Sequence, residues 1–142
     1  MARPMSIRHL LGICIATIIA HGASAQASPS HAPAATRNSP PIGIWRGNSI
    51  CQVRPSACHD EVVVYRITQV GTGDSLSMDA RKIVNGKEEN MGILGCIMTN
   101  TQITCAMPNG VWHFTVRADS LIGELRLPDN TKFRDVRAVR AR

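Results

Sequence analysis

Four cysteines are the residues whose type and spacing point most directly to chemistry. They form two local brackets, Cys51 to Cys58 and Cys96 to Cys105, with six and eight residues between the partners. Zinc sites favour cysteine pairs separated by two to four residues, and Cys58-His59 lacks the further cysteine of a haem attachment motif. The spacing therefore predicts two disulfide bonds, with no metal site and no cofactor.

A second set of reactive side chains lies beside the first bracket. His59, Asp60 and Glu61 are consecutive, and Ser49 and Ser56 are near them in sequence. Neighbours on a strand point to opposite faces, so Asp60 does not share a side with His59 and Glu61. Neither serine lies in a glycine elbow or another activating context. We therefore predict no catalytic residues, and the chain is not expected to be an enzyme.

Aromatic residues are the candidates for binding an apolar ligand. Trp45, Tyr65, Trp112 and Phe114 could line an interior cup. Aromatic side chains are only 4% of the chain, however, and large side chains of this kind commonly form the packed core itself. Two interpretations therefore remain open, a lined cavity and a filled interior.

The first cysteine bracket encloses a candidate recognition loop, with Arg54, Pro55 and Ser56 at its tip. A disulfide bond that ties the ends of a loop lowers the entropy lost when the loop docks on a partner. Arg54 supplies a charge for such a contact. The alternative is a stapled connection between strands that has no partner.

The elements that must position these residues follow an N-terminal targeting segment. Two arginines precede an apolar run, which is followed by the small residues Ala23-Ser24-Ala25. This pattern is typical of a secretory signal peptide over residues 1–25, with cleavage after Ala25 or Ala27. The apolar run is shorter than a membrane-spanning helix, which needs about 20 residues. We therefore predict a periplasmic or secreted protein without a transmembrane segment.

Residues 26–41 are rich in proline, alanine and serine, a composition that predicts a flexible tether. The remainder, residues 42–142, has the length of one compact domain, which we expect to be a monomer. Its apolar pattern has a period of two, with turn residues every eight to twelve positions. The domain is therefore predicted to be all-β, an antiparallel sandwich or barrel.

The charge of the chain argues against nucleic acid as a partner. The net charge is +6, and much of the excess lies near the C-terminus. Proteins that bind nucleic acid combine a cluster of basic residues with aromatic platforms or a recognition helix, and this sequence predicts neither. The basic end is interpreted as a solvated edge strand or as a docking face for an anionic partner.

Turn residues set the register of the central strands. A two-residue turn at Asn100-Thr101 places Cys96 directly opposite Cys105. Counting from the turn, this is a non-hydrogen-bonded pair, in which Cα atoms lie about 4.5 Å apart. Disulfide geometry tolerates that distance, so the register supports the predicted bond.

Two later hairpins extend the same apolar face. A turn at Asn109-Gly110 sets Met107 against Trp112, with Pro108 lengthening the loop because it cannot donate a ladder hydrogen bond. A further turn at Ala118-Asp119 follows. Three successive hairpins thus put their apolar side chains on one common face.

The pattern is irregular in two places. A two-residue hairpin at Asn85-Gly86 would set Leu94 opposite a polar residue, so a bulge or a longer loop must shift the register. In the last strand, the apolar residues from Phe133 to Val139 are spaced by three. This spacing predicts a bulge near Asp135 or a short helical turn.

The first predicted strand begins with Gly43-Ile44-Trp45, and the last strand is basic. In these respects the chain resembles the lipocalin and calycin group. The resemblance implies an up-and-down antiparallel β-barrel of about eight strands over residues 42–142, with Trp45 plugging the base and Arg137 or Arg140 packed across it. A Gly-x-Trp strand with a cysteine just beyond it is also similar to the barrel-type metalloprotease inhibitors that some bacteria secrete.

Together these features favour non-covalent binding as the function, with the ligand unassigned. The partner would be a small apolar ligand held inside a hollow barrel. The alternative is a protein-interaction module, such as an inhibitor of a protease or of another envelope enzyme. That module would have a filled interior and would use the loop between Cys51 and Cys58, or the tether, as its contact surface.

Overall fold

A computed structural model describes residues 40–142 of the chain. The predicted signal peptide and most of the predicted tether lie outside the described residues. The described part contains eight strands and no α-helix. The strands are β1 (Gly43–Cys51), β2 (Glu61–Gln69), β3 (Ser75–Val84), β4 (Lys87–Thr99), β5 (Gln102–Met107), β6 (Gly110–Arg117), β7 (Ser120–Arg126) and β8 (Lys132–Arg140).

Each strand pairs antiparallel with the next, and β8 pairs with β1, so the eight strands close into a barrel. Full closure satisfies the backbone groups that an open sheet leaves at its edges. The predicted all-β, up-and-down antiparallel barrel is therefore confirmed. Within residues 40–142, no helix is long and apolar enough to span a membrane.

Alternate residues of each strand point into the barrel and form its core. In β2, Val63, Tyr65 and Ile67 are buried, as the period-two pattern predicts. Val62 and Thr68, on the other face of the same strand, are exposed. The period of the sequence thus determines which side chains reach the interior.

Turns with a left-handed backbone set the register of three hairpins. Asn85, Asn100 and Ala118 have φ angles of 50°, 57° and 50°. Two-residue hairpin turns of types I′ and II′ need a positive φ at this first central position. As a result Cys96 faces Cys105, with their Cα atoms 4.2 Å apart. The predicted turns at Asn100 and Ala118 are confirmed.

The turn between β5 and β6 differs from the predicted one. It lies at Pro108-Asn109, so Met107 pairs with Gly110 rather than with Trp112. The fixed φ of proline suits the first central position of a turn, and proline has no N–H for a ladder. The predicted register was therefore wrong by two residues, a shift that leaves the same side chains facing inward.

A bulge resolves the first irregular place. The β3–β4 hairpin turns at Asn85-Gly86, but its register shifts beyond Ala80, and Met91 has no partner in the ladder. Leu94 consequently pairs with Met78, and both face the interior. Of the two alternatives that the sequence left open, the bulge is the one present.

A second bulge lies in the last strand, at Phe133 rather than near Asp135. The alternation is regular from Arg134 onward, so Val139 points outward and is exposed. Strand β8 pairs with both β7 and β1. The interpretation of the basic end as an edge strand was therefore wrong, because barrel closure gives this strand a neighbour on each side.

Both predicted disulfide bonds are present. Cys51 and Cys58, with Cα atoms 5.9 Å apart, close the loop between β1 and β2. Cys96 and Cys105 join β4 to β5 at the last pair of their ladder. Each bond closes a short loop and is expected to contribute about 2.5 kcal/mol to the free energy of unfolding.

The two ends of the barrel differ in their connections. We call the end that holds the β2–β3, β4–β5 and β6–β7 turns and residues 40–42 the base. We call the opposite end the mouth. It holds the loop between Cys51 and Cys58, the turns at Asn85-Gly86 and Pro108-Asn109, and residues 127–131.

Candidate functional site

The base of the barrel is sealed by a tryptophan and an arginine. Trp45 is fully buried, and its indole N–H donates to the carbonyl of Pro41 at 2.7 Å. The guanidinium carbon of Arg140 lies 4.3 Å from the centre of the Trp45 ring, within the range of a cation–π interaction. Of the two arginines that the resemblance implied, Arg140 covers the tryptophan, whereas Arg137 is exposed.

The end of the predicted tether is part of this seal. Pro41 is buried, and Arg140 donates to the carbonyls of Pro40 and Ile42, each at 2.7 Å. The backbone at Gly43 has a φ of 134°, and a Cβ atom there would lie 2.9 Å from the Arg140 guanidinium. The glycine of the Gly-x-Trp strand therefore leaves room for the arginine.

All four predicted lining residues belong to the buried core, and two of them also line a cavity. Phe114 is fully buried, stacked on Trp112 with ring centres 5.3 Å apart and in edge contact with Tyr65 at 5.7 Å. Trp45 and Phe114 belong to the packed core toward the base. Tyr65 and Trp112 border the cavity. The interior is thus filled toward the base and hollow beside Tyr65 and Trp112, so the filled interior and the lined cavity each describe one part of it.

The cavity has a volume of about 240 Å³ and lies between the Trp112–Phe114 stack and the mouth. Most of its wall is apolar. The residues of this apolar wall are Tyr65, Ala80, Met91, Gly92, Leu94, Met107, Trp112 and Leu125.

Local sequence explains why this part of the barrel is hollow. Ala80 pairs with Gly92, so two adjacent strands carry no large side chain at this level. The β4–β5 ladder ends at Cys96 and Cys105, and β4 continues past it toward the mouth with the bulge at Met91. The wall between β4 and β5 is therefore less tightly closed beside the cavity than it is at the base.

One wall of the cavity is polar. It is formed by Ser49 of β1, Glu61 of β2 and Arg134 of β8, which we call the polar patch. Nη1 of Arg134 donates to Oγ of Ser49 at 3.1 Å and lies 3.1 Å from Oε2 of Glu61. Ser49 is buried, and the side chains of Arg134 and Glu61 are 13% and 22% exposed. The cavity therefore combines apolar walls with a largely buried ion pair.

Tyr65 adds a neutral polar group to the same space. Burial raises the pKa of its hydroxyl well above the ordinary value; Arg134 acts in the opposite direction and Glu61 in the same direction. The phenol therefore stays protonated at neutral pH and is a hydrogen-bond donor.

The polar patch was not predicted as a unit. From sequence, Ser49 and Glu61 are candidates only for catalysis, and Arg134 is only one of the basic residues near the C-terminus. Period two was the available signal, because it places Ser49 on the face of Trp45 and Glu61 on the face of Val63. For Arg134 the bulge at the preceding residue concealed that signal.

Asp60 has a structural role beside the mouth. Its Oδ1 atom accepts hydrogen bonds from the backbone N–H of Cys51 at 2.9 Å and from Nη2 of Arg54 at 2.7 Å. His59 is exposed. Among residues 40–142, no three histidine, cysteine, aspartate or glutamate side chains are grouped closely enough to hold a metal ion.

The candidate recognition loop lies at the mouth, where Arg54, Pro55 and Ser56 are exposed. Arg54 is paired with Asp60, and the hydroxyl of Ser56 donates to the carbonyl of Val53 at 2.7 Å. An exposed ion pair contributes no more than about 1 kcal/mol, so Arg54 can exchange its partner at little cost. A recognition role for this loop stays a prediction.

Comparisons with protein-family models, curated proteins and solved structures gave no match to this chain. The cavity and its polar patch are therefore the features from which a function can be inferred.

Proposed function

We propose that the protein binds a small, mostly apolar molecule non-covalently inside the barrel. The observation that carries this proposal is the cavity of about 240 Å³. An apolar wall with a few convergent polar groups is typical of ligand sites. The volume corresponds to about eight water molecules in the liquid, so the ligand is smaller than a drug-sized molecule.

Two further features support the proposal. The seal formed by Trp45 and Arg140 occupies the place expected from the resemblance to the lipocalin and calycin group, and small ligands are commonly bound in the mouths of β-barrels. The two disulfide bonds are compatible with an oxidising compartment. We therefore propose that the protein works in the periplasm or outside the cell.

A cavity-filling substitution tests this function. Ala80→Leu adds apolar atoms inside the cavity, and Ala106→Leu adds the same atoms at an exposed position of β5. In a calorimetric titration with hexanol, we expect Ala80→Leu to weaken binding by about tenfold or more. We expect Ala106→Leu to leave it unchanged. Filling a cavity also stabilises a fold, so the melting temperature of Ala80→Leu should equal or exceed that of the wild type.

Two outcomes would contradict the proposed function. One is that the wild-type protein binds neither hexanol nor the corresponding carboxylate, hexanoate. The other is an equal affinity of both variants for hexanol, which would place the binding site elsewhere on the protein.

The second candidate is the protein-interaction module, such as an inhibitor of a protease or of another envelope enzyme. The exposed tip of the disulfide-closed loop, with Arg54, Pro55 and Ser56, favours it. A module of this kind was expected to have a filled interior. The cavity therefore favours the small ligand over this alternative.

A further inference from the structure

The polar patch restricts the chemistry of the ligand. It lies on the wall formed by β8, β1 and β2, and the apolar lining comes mainly from the other strands. A ligand that fills the cavity must therefore place its polar group on one side and its apolar part on the other. This inference rests on the proposed function, because it concerns the ligand of the same cavity.

Hydrogen-bond donors predominate in the polar patch and its surroundings. The guanidinium of Arg134 carries five N–H donors, and its two contacts, with Ser49 and Glu61, both use Nη1. The protonated hydroxyl of Tyr65 is a further donor in the same cavity. The acceptors are the carboxylate of Glu61 and the hydroxyl oxygen of Ser49, and both already contact Arg134. The polar group of the ligand is therefore expected to be an acceptor.

The two members of the ion pair differ in how firmly they are held. Arg134 is 13% exposed and also bonds the buried Ser49, whereas Glu61 is 22% exposed. Glu61 lies at the first position of β2, next to the loop that leads to the mouth. Glu61 can therefore turn toward solvent more easily than Arg134 can leave the cavity.

We propose that the ligand is a small monocarboxylate with a short apolar tail, whose carboxylate binds Arg134 in the place that Glu61 occupies in the empty barrel. Planar carboxylates bind guanidinium groups through two parallel hydrogen bonds. The exchange replaces one negative charge beside Arg134 by another, so no uncompensated charge is left in the cavity. The tail then covers Leu94, Trp112 and Leu125.

The size of the cavity indicates the length of the tail. A volume of about eight water molecules matches a molecule of about eight non-hydrogen atoms, which is the size of hexanoate. Hexanol has the same pentyl tail with a neutral hydroxymethyl group in place of the carboxylate. The pair of compounds therefore separates the contribution of the head group from that of the apolar wall.

Two substitutions in the full chain, with both disulfide bonds formed, test the inference. Glu61→Gln removes the competing carboxylate and keeps Arg134, and it should tighten hexanoate binding. Arg134→Gln removes the partner of the head group, and it should weaken hexanoate binding by about tenfold or more. Hexanol binding to each variant serves as the reference: relative to it, hexanoate binding should tighten in Glu61→Gln and weaken by about tenfold or more in Arg134→Gln, because only the carboxylate pairs with the charge of Arg134.

The outcomes separate the two claims. If hexanol and hexanoate both fail to bind the wild-type protein, the proposed function fails. If hexanol binds but Glu61→Gln does not tighten hexanoate, or Arg134→Gln binds hexanoate as the wild type does, the cavity remains a ligand site and the carboxylate inference is overturned. Should Arg134→Gln fail to fold, Glu61→Gln decides the question alone, because it leaves Arg134 in place.

Discussion

Three arginines of β8 show how register decides the role of a residue. Arg134 and Arg140 face the interior, at the cavity and at the base, and Arg137 faces solvent. All three have the same charge and lie within one strand. Composition therefore cannot distinguish them, and only their position relative to the bulge at Phe133 does.

Arg140 should be the most important of these arginines for stability. Arg140→Ala removes the cation–π contact with Trp45 and the hydrogen bonds to the carbonyls of Pro40 and Ile42. We expect a loss of about 2 to 3 kcal/mol in the free energy of unfolding. Arg137→Ala, in the same strand, should change it by less than about 0.5 kcal/mol.

Urea denaturation of both variants measures this difference. Equal losses in the two variants would show that the contacts at the base do not hold the barrel together.

Part of the candidate site could be predicted from single residues. Tyr65 and Trp112 could be placed in the interior because the period of their strands is regular. The polar patch could not be assembled, because charged residues in a basic strand are usually solvated. Recognising Arg134 as an interior residue requires the position of a bulge that no local signal marks.

Turn chemistry predicted most of the register of the strands. Asparagine readily adopts the left-handed conformation that two-residue hairpin turns need, so it is a strong sequence signal for such a turn. It correctly predicted the hairpin at Asn100. At Asn109-Gly110 the same signal was misleading, because the neighbouring Pro108 occupies the first turn position instead. The bulge at Met91 was predicted only as one of two alternatives. Bulges depend on how a strand packs across the barrel, which is not a local property.

The β4–β5 seam is the weakest lateral contact of the barrel at the element scale. Its ladder pairs only Cys96–Thr99 with Gln102–Cys105, and the second disulfide bond lies at its end. The other disulfide bond closes a loop outside the ladders. The two bonds should therefore have different effects on the barrel, although they close loops of similar length.

Removing the second disulfide bond should loosen this seam. In Cys96→Ala/Cys105→Ala, we expect faster amide hydrogen exchange over residues 94–105, because four ladder pairs hold a seam next to a cavity. This variant and the matched Cys51→Ala/Cys58→Ala variant should each lose about 2.5 kcal/mol in the free energy of unfolding, because each loses the restriction of one short loop. In Cys51→Ala/Cys58→Ala, faster exchange should be confined to residues 51–60.

Hydrogen exchange followed by mass spectrometry distinguishes these patterns. Unchanged exchange in β4 and β5 after loss of the second bond would show that the seam does not depend on it.

The barrel as a whole has one closed end and one hollow end. Trp45, Phe114 and Arg140 fill the base, and small residues leave space toward the mouth. The resemblance carried by the Gly-x-Trp strand implied a barrel with a plugged base, and the structure confirms the all-β barrel. Whether the interior was hollow or filled could not be predicted, because the answer depends on which small residues face each other across strands, such as Ala80 and Gly92.

The central claim is that the interior near the mouth accepts an apolar guest. Crystals of the protein under xenon pressure test it most directly, because xenon enters apolar cavities that remain dry. We predict a xenon atom in contact with Leu94, Trp112 and Leu125, and none beside Trp45. Ordered water instead of xenon against Leu94, Trp112 and Leu125, or side chains that have closed that space, would contradict this claim.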